Sequence, residues 1–458
     1  MDRDGTSHIN EEKAHILVVT YPIQGHINPL LQFSKRLASK GPKVTLIIPS
    51  TTIRFPANAS TSLISVAYIP DGHEEGEILS VDEELKQFRA VVSRTLGDFI
   101  QEQVESKFPP TVLVYDAVMV WALDIAREQG LHGAPFFTQS CVVNAIYHLV
   151  HHGLVKIPVR GPFSLIPSAP LLEVSELPSL VTNTELYPVL MSMVIGQFSN
   201  LKGAKWILVN TFFELEEQAV KWMRTQYPIM TIGPTIPSIY LDQRLEDDKD
   251  YGLSLFKPEV EASMKWLDSK EAASVIYVSF GSLASLGEEQ MEELAWGLKN
   301  SKIHFLWVVR ESEKKKLPAG FLDEIAPSDM GLVVGWCSQL EVLAHKAVGC
   351  FVTHCGWNST LEALCLGVPL VAMAQWTDQP TNAKFIEDVW KVGLRVKTGE
   401  KGTASREAIE ACVREMMEGE KGKEIRRNSL KWRELAKRAV GEGGSSDKNI
   451  AELVAELV

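Results

Sequence analysis
Short runs of Val, Ile, Leu and Phe, bounded by Gly, Pro and polar residues, recur through the first half of the chain: His15 to Thr20, Val44 to Ile48, Val112 to Tyr115, Pro135 to Phe137 and Ile207 to Val209. Stretches of helical period separate them. This alternation predicts βαβ units and a parallel sheet. After Thr231 the pattern lapses into Gly233-Pro234, Pro237 and the charged segment Leu241 to Tyr251. It resumes with a helix over Glu261 to Ser269 and strands at Val275 to Phe280, Phe305 to Val309, Leu332 to Val334, Cys350 to Thr353 and Leu370 to Ala372. The expected organisation is a domain over 1–235, a linker over 236–257, a second domain over 258–440 and a closing segment over 441–458. Open parallel sheets bind ligands past the carboxyl ends of their strands, so two such α/β domains facing each other predict a central cleft.

Composition narrows the possibilities. The 458 residues exceed what one core of about 150 residues needs, and 45% apolar with 23% charged residues is the balance of an ordinary globular protein. Lys+Arg 46 against Asp+Glu 58 leaves a net charge of −12, which repels nucleic acid and anionic lipid, so neither is an expected partner and any anionic ligand must be caught locally. The basic stretch Lys421 to Ala439, beside Trp432 and Leu435, reads as the solvated face of an amphipathic helix. Cys141, Cys337, Cys350, Cys355, Cys365 and Cys412 include no CxxC pair and are expected to be free thiols in a reducing compartment. The polar N-terminal stretch, and the absence of any apolar run near the roughly 18 residues that span a bilayer, point to a cytoplasmic protein without membrane contact. Asn58-Ala59-Ser60 and Asn358-Ser359-Thr360 match the glycosylation pattern and are expected to stay unmodified.

Several chemistries are disfavoured by missing motifs: no GxGxxG follows the first strand, and GxxxxGK[ST], GxSxG and HExxH are absent. Asp248-Lys249-Asp250 has the DxD spacing of a metal-dependent site but lies in the polar linker, where a solvated charge run is expected. Beyond the first strand, Gly25-His26-Ile27-Asn28-Pro29 places His26 at the cleft, and an imidazole is suited to take a proton near neutral pH. The competing reading is a helix start, with Asn28 as cap and Pro29 at the first helical position. Val112 to Asp116 is an apolar strand ending in a carboxylate that would orient such an imidazole or, alternatively, cap a helix over Ala117 to Gln129. A His26–Asp116 dyad is therefore a candidate.

The second domain carries a denser signal. His354-Cys355-Gly356-Trp357-Asn358-Ser359-Thr360-Leu361-Glu362 lies between a strand and a helix, where free amides and the helix dipole make an anion site and Gly356 allows close approach. A capping box from Ser359 to Glu362 is the alternative use of that carboxylate. Phe280-Gly281-Ser282 follows another strand and offers a second phosphate donor.

Trp336 to Gln379, WCSQLEVLAHKAVGCFVTHCGWNSTLEALCLGVPLVAMAQWTDQ, resembles the signature box of plant family-1 UDP-sugar-dependent glycosyltransferases. GHINP near the N-terminus, YVSFGS at Tyr277 to Ser282 and the late GEGGSS agree with that family in order and spacing over essentially the whole chain. The resemblance implies the GT-B fold, two Rossmann-like domains with the last helix crossing back to the first, and UDP-glucose as co-substrate without a metal or prosthetic group. It also implies that Trp336 stacks on uracil, that Cys337 and Gln339 lie near base and ribose, and that Glu362 accepts from the ribose hydroxyls. His354, Gly356, Asn358, Ser359 and Ser282, with Trp357 in the same turn, match the pyrophosphate cradle; Trp376, Asp378 and Gln379 match the sugar site. Thr138 is expected to reach the sugar or its phosphate from the first domain, and His26 and Asp116 match the catalytic base and its orienter. A Gln at 379 resembles glucose-using more than galactose-using members.

The implied reaction is inversion at the anomeric carbon as an acceptor hydroxyl, deprotonated by His26, displaces UDP, with helix amides and His354 supplying positive potential to the diphosphate. Acceptor-pocket candidates are Phe88, Met119, Trp121, Phe137, Tyr147, His148, Met191, Met193 and Phe198, for which plain core is the competing reading. The favoured acceptor is a small lipophilic steroid or triterpenoid. Phenolic or indole acids and thiohydroximates are the alternatives, followed by an epimerase or a catalytically silent lipophilic-ligand binder on the same scaffold. A monomer is expected.

Overall fold
Apolar runs with every side chain buried become the central strands of two sheets. The structure, a computed structural model, describes residues 14–53, 63–73, 79–164, 170–252, 259–399 and 401–457. The first sheet comprises β1 (His15–Val19), β2 (Lys43–Pro49), β3 (Ser65–Ile69), β4 (Pro110–Asp116) and β5 (His132–Phe137). After a small antiparallel hairpin of β6 (Phe163–Ser164) and β7 (Leu171–Leu172), it is completed by β8 (Ile207–Val209) and β9 (Ile229–Thr231). Its order is β3-β2-β1-β4-β5-β8-β9, all parallel. The second sheet, β10 (Val275–Ser279), β11 (His304–Val308), β12 (Gly331–Val334), β13 (Val348–Thr353), β14 (Leu370–Ala372) and β15 (Gly393–Arg395), has the order β12-β11-β10-β13-β14-β15, again parallel. This is the GT-B arrangement of two Rossmann-like domains.

The first strand of each sheet lies inside it, between partners reached in opposite directions: β1 between β2 and β4, β10 between β11 and β13. Loops leaving such a switch point diverge and open a crevice. The register pairs Val19 with Tyr115 and Ser279 with Thr353, so the loops after β1 and β4, and those after β10 and β13, start side by side.

Three sequence expectations change. The helix after β1, α1 (Gln24–Ala38), starts at Gln24 with Ile23 at the cap position, so Asn28 and Pro29 lie inside it rather than at its start. Ile27, Leu30 and Leu31 form its buried face from the first turns. The helix expected over Ala117 to Gln129 is confined to Ala122–Glu128. Asp248 is not solvated: its carboxylate takes Lys35 Nζ at 2.6 Å and the Ser238 N–H at 2.7 Å and is 2% exposed, because a lysine on the covered face of α1 needs a counter-charge. Arg36 adds a two-pronged pair to Asp242, tying the linker to α1.

The helix Glu420–Val440 buries Ile425, Ser429, Ala436 and Ala439 and donates the Trp432 indole N–H to the Trp390 carbonyl; Lys421, Lys423, Arg427, Lys431 and Arg438 are exposed, while Arg426, Arg433 and Lys437 are half-buried. The final helix, Ser445–Ala455, returns to the first domain. Ile450 and Leu453 join the core formed with Ile16, Leu30 and Met230, while Ser446 Oγ donates to the Gly233 carbonyl and Asn449 Nδ2 to that of Thr231. The six cysteines are free thiols, five of them buried. Among the described residues no helix is long and apolar enough to cross a membrane. Asn58 to Ser60 lie outside the described residues.

Candidate active site between the two sheets
β4 ends in Asp116, whose buried carboxylate accepts from His26 Nδ1 at 2.5 Å. Its other oxygen accepts the Val118 N–H at 3.2 Å, so the turn after β4 fixes the carboxylate. With Nδ1–H committed to Asp116, the neutral ring keeps Nε2 as its basic atom. His26 lines the cleft, its side chain 20% exposed, with Tyr21 packed edge-on at 5.7 Å and Phe88 behind Tyr21 at 5.0 Å.

Opposite lie the loops after β10 and β13. Gly281 has φ +71, and a Cβ there would sit 2.9 Å from the His354 ring; one on Gly356 would sit 2.5 Å from His354 Nε2. The imidazole fits between these loops only because both positions are glycine. Burial pushes its pKa down to about 4, Arg310 adding to the effect against the hydrogen bond that its ring N–H gives the Ser279 carbonyl. His354 is therefore neutral near pH 7 and, with its single N–H given to Ser279, brings the cradle none of the positive charge expected of it. Arg310 grips the Ser282 loop from behind, donating to the carbonyls of Ser282 and Ala284. The helix Trp357–Leu366 begins here with Gly356 at its cap and no side-chain cap, so the Ser359–Glu362 capping box does not form.

Glu362 is used elsewhere. Its oxygens accept from Tyr251 OH at 2.8 Å and Gln339 Nε2 at 2.6 Å, and Gln339 in turn donates to Ser359 Oγ and accepts from Tyr277 OH. Burial pushes the Glu362 carboxyl up to about 7, against the hydrogen bonds from Gln339 and Tyr251. Cys337, its Sγ 3.4 Å from Tyr277 OH, is pushed by burial up to about 12, and Trp336 lines the same end of the cleft. At the other end Asp378 accepts from Thr377 Oγ1 and Asn382 Nδ2, burial raising its pKa against these bonds. Gln379 Oε1 accepts the N–H groups of Gln375 and Trp376, which leaves its Nε2 as the group to donate, while the Trp376 ring meets Tyr187 at 5.2 Å.

Every donor-side candidate, with Thr138 from the first domain, borders one cleft of about 1340 Å³ that His26 also borders. Trp357 is nearly covered and donates its indole N–H to the Asn210 carbonyl, joining the domains. The acceptor candidates fare differently, for only Met193 borders the cleft. Met119, Phe137, Tyr147, His148 and Phe198 are at most 4% exposed. Phe137 and Phe198 pack together, His148 is held by Tyr227 OH, and Met119 joins a core that Phe88 and Trp121 flank; Met191 packs against the neighbouring core. Their apolar character marked packed interior, on helices for Phe88, Tyr147, His148 and Met191, on β5 for Phe137 and in turns for Met119, Trp121 and Phe198. The apolar cleft wall comes instead from Leu85, Val118, Leu180, Tyr187, Leu190 and Val194, with Gln139 and Gln197 as polar groups, and the linker adds Tyr240 and Tyr251. No motif singled these out; chain segments that lead away from strand ends were the available signal.

Two Rossmann-like domains with a histidine–carboxylate pair across a shared cleft from a helix-start anion site define a nucleotide-sugar transferase of GT-B type. The family model described as UDP-glucoronosyl and UDP-glucosyl transferase matches residues 234–432. The chain is 51% identical to Mogroside I-E synthase of Siraitia grosvenorii over 97% of its own length and 98% of the relative's. It is 49% identical to UDP-glycosyltransferase 74E2 of Arabidopsis thaliana over 97% and 99%. The crystal structure of Os79 from O. sativa in complex with UDP superposes with a TM-score of 0.90 at 38% identity, over 97% of this chain and all of that one. The chain thus belongs to the plant family-1 UDP-glycosyltransferases, enzymes that use a UDP-sugar as co-substrate to glycosylate small metabolites.

Proposed function
We propose that this enzyme moves glucose from UDP-glucose to a hydroxyl of a small lipophilic metabolite, inverting the anomeric configuration, and that a polycyclic triterpenoid or steroid is the preferred acceptor class. The observation that carries the reading is the His26–Asp116 pair, 2.5 Å apart, whose imidazole borders the same cleft as the His354, Ser282 and Asn358 cradle. His26 Nε2 takes the hydroxyl proton, and Asp116 stabilises the imidazolium that forms. The acceptor oxygen attacks the anomeric carbon from the side opposite the diphosphate. The bond from that carbon to the diphosphate oxygen breaks, and UDP leaves with the electron pair.

The amides at the start of the helix Trp357–Leu366 and the Asn358 and Ser359 side chains meet the developing charge as preorganised dipoles. Trp336 stacks on the base, Glu362 and Gln339 hold the ribose, and Asp378 with Gln379 Nε2 hold the sugar hydroxyls. A cleft of about 1340 Å³ has room for a nucleotide sugar and a multi-ring acceptor together, and a relative that matches at 51% is named Mogroside I-E synthase. The test is to incubate the protein with UDP-glucose and a panel of triterpenoids, steroids, phenols and carboxylic acids, reading products by mass and anomeric configuration by NMR. A β-glucoside of a polycyclic alcohol is expected. Exclusive formation of glucose esters would overturn the acceptor class, and epimerised UDP-sugar without glycoside would overturn the reaction.

A further inference from the structure
In an α-helix the carbonyl of residue 25 accepts from the N–H of residue 29. Position 29 of α1 is proline, which has no N–H to give. The Gly25 carbonyl accepts instead from Asn358 Nδ2 at 2.7 Å, in the first turn of the helix Trp357–Leu366, 333 positions along the chain and across the cleft. Gly25 itself is not what this approach requires, since a Cβ there would lie 3.7 Å from Asn358 Nδ2, an ordinary contact. The feature that frees the carbonyl is the proline.

We propose that Pro29 is a positioning residue for the transfer reaction: by withholding an N–H it keeps the Gly25 carbonyl for Asn358, and that bond sets where His26 stands relative to the diphosphate cradle. His26 follows Gly25 directly and is held on its other side by Asp116, so its backbone and its ring are each tied to one fixed partner. The Asn358 amide carries two N–H groups; the one not given to Gly25 serves the diphosphate, so a single side chain joins the leaving group to the backbone that carries the base. Other bonds across the domains, from Trp357 to Asn210 and between Thr377 and Ser179, keep them together when this one is lost. The effect is therefore one of alignment.

The inference rests on the transferase reading above, and its test separates the two. Pro29→Ala restores the N–H and lets α1 reclaim the carbonyl. Measured as Pro29→Ala, Asn358→Ala and the double variant, with kcat for a hydroxyl acceptor and Kd for UDP, the proline change is expected to lower kcat roughly tenfold in the native background and Kd for UDP to move less than about twofold. In the Asn358→Ala background, where the carbonyl has no partner to lose, Pro29→Ala is expected to change kcat less than about twofold. Equal losses in both backgrounds would assign Pro29 a merely structural role and overturn the proposal, as would an unchanged kcat in the native background. A native protein that forms no glycoside with any acceptor would sink the transferase reading instead.

Discussion
The two walls of the cleft are built on opposite plans. On the nucleotide side most polar side chains are already held by a side chain or by backbone: Gln339 joins Tyr277, Ser359 and Glu362, Thr377 and Asn382 converge on Asp378, and backbone N–H groups anchor Gln379. On the acceptor side the wall is apolar side chains such as Leu180, Leu190, Met193 and Val194 from several segments, with Gln139 and Gln197 as scattered polar groups. A hydrogen-bonded constellation fixes one ligand, because an analogue that lacks a group leaves buried partners unpaired. An apolar wall discriminates weakly, since one methylene changes binding by only about 1–3 kcal/mol. The comparison implies a strict donor end and a permissive acceptor end.

The sharpest test of the contrast falls on the residue where the two walls meet. His26→Ala is expected to lower kcat for hydroxyl acceptors by roughly 10² to 10⁴ while leaving Kd for UDP within about twofold; an unaffected rate would remove His26 from the chemistry. Next comes Glu362→Gln, for which calorimetry should show UDP bound about tenfold more weakly. The same group predicts a pH signature. Burial holds its pKa up to about 7, so the carboxylate is present above that value and is lost as the pH falls through it. The advantage of the native protein over Glu362→Gln in UDP affinity should therefore shrink from pH 8 to pH 6, and a constant ratio would show that the carboxylate does not bind the ribose.

Gln379→Ala is expected to reduce kcat/KM for UDP-glucose about tenfold with UDP affinity nearly unchanged. If UDP itself binds far more weakly, the sugar end has been misplaced. The smallest catalytic effect belongs to the permissive wall: Met193→Ala should raise the acceptor KM only about two- to fivefold and leave the donor KM alone. Phe198→Ala, in the adjoining core, should instead cost about 3–5 kcal/mol of stability by thermal or chemical unfolding.

The same division decided what could be read from the sequence. Strands such as Ile207–Val209 and Leu370–Ala372 were legible because burial on both faces compels an unbroken apolar run. β3 was not, since its residues at the sheet edge are partly exposed and its pattern is weak. Polar residues packed into a few turns, as at His354 to Glu362, carry a dense signal because each must find a partner. The apolar acceptor wall shares its residue types with every helix interior, so Tyr147 and Met193 look alike until packing shows one enclosed and the other at the cleft. Asp248 misled for the converse reason: a charge in a polar linker looks wet until the lysine beneath it is located.

The return of the final helix to the first domain bears on how the chain assembles at the ribosome. Ser446 and the Gly233 carbonyl it binds are 213 residues apart, and Ile450 and Leu453 cover apolar side chains that belong to the part synthesised first. The leading half must therefore wait, incompletely roofed, through the translation of the whole trailing half. This is an interval in which chaperones have a defined patch to shield and in which a premature stop near the end would leave both halves without their common clasp.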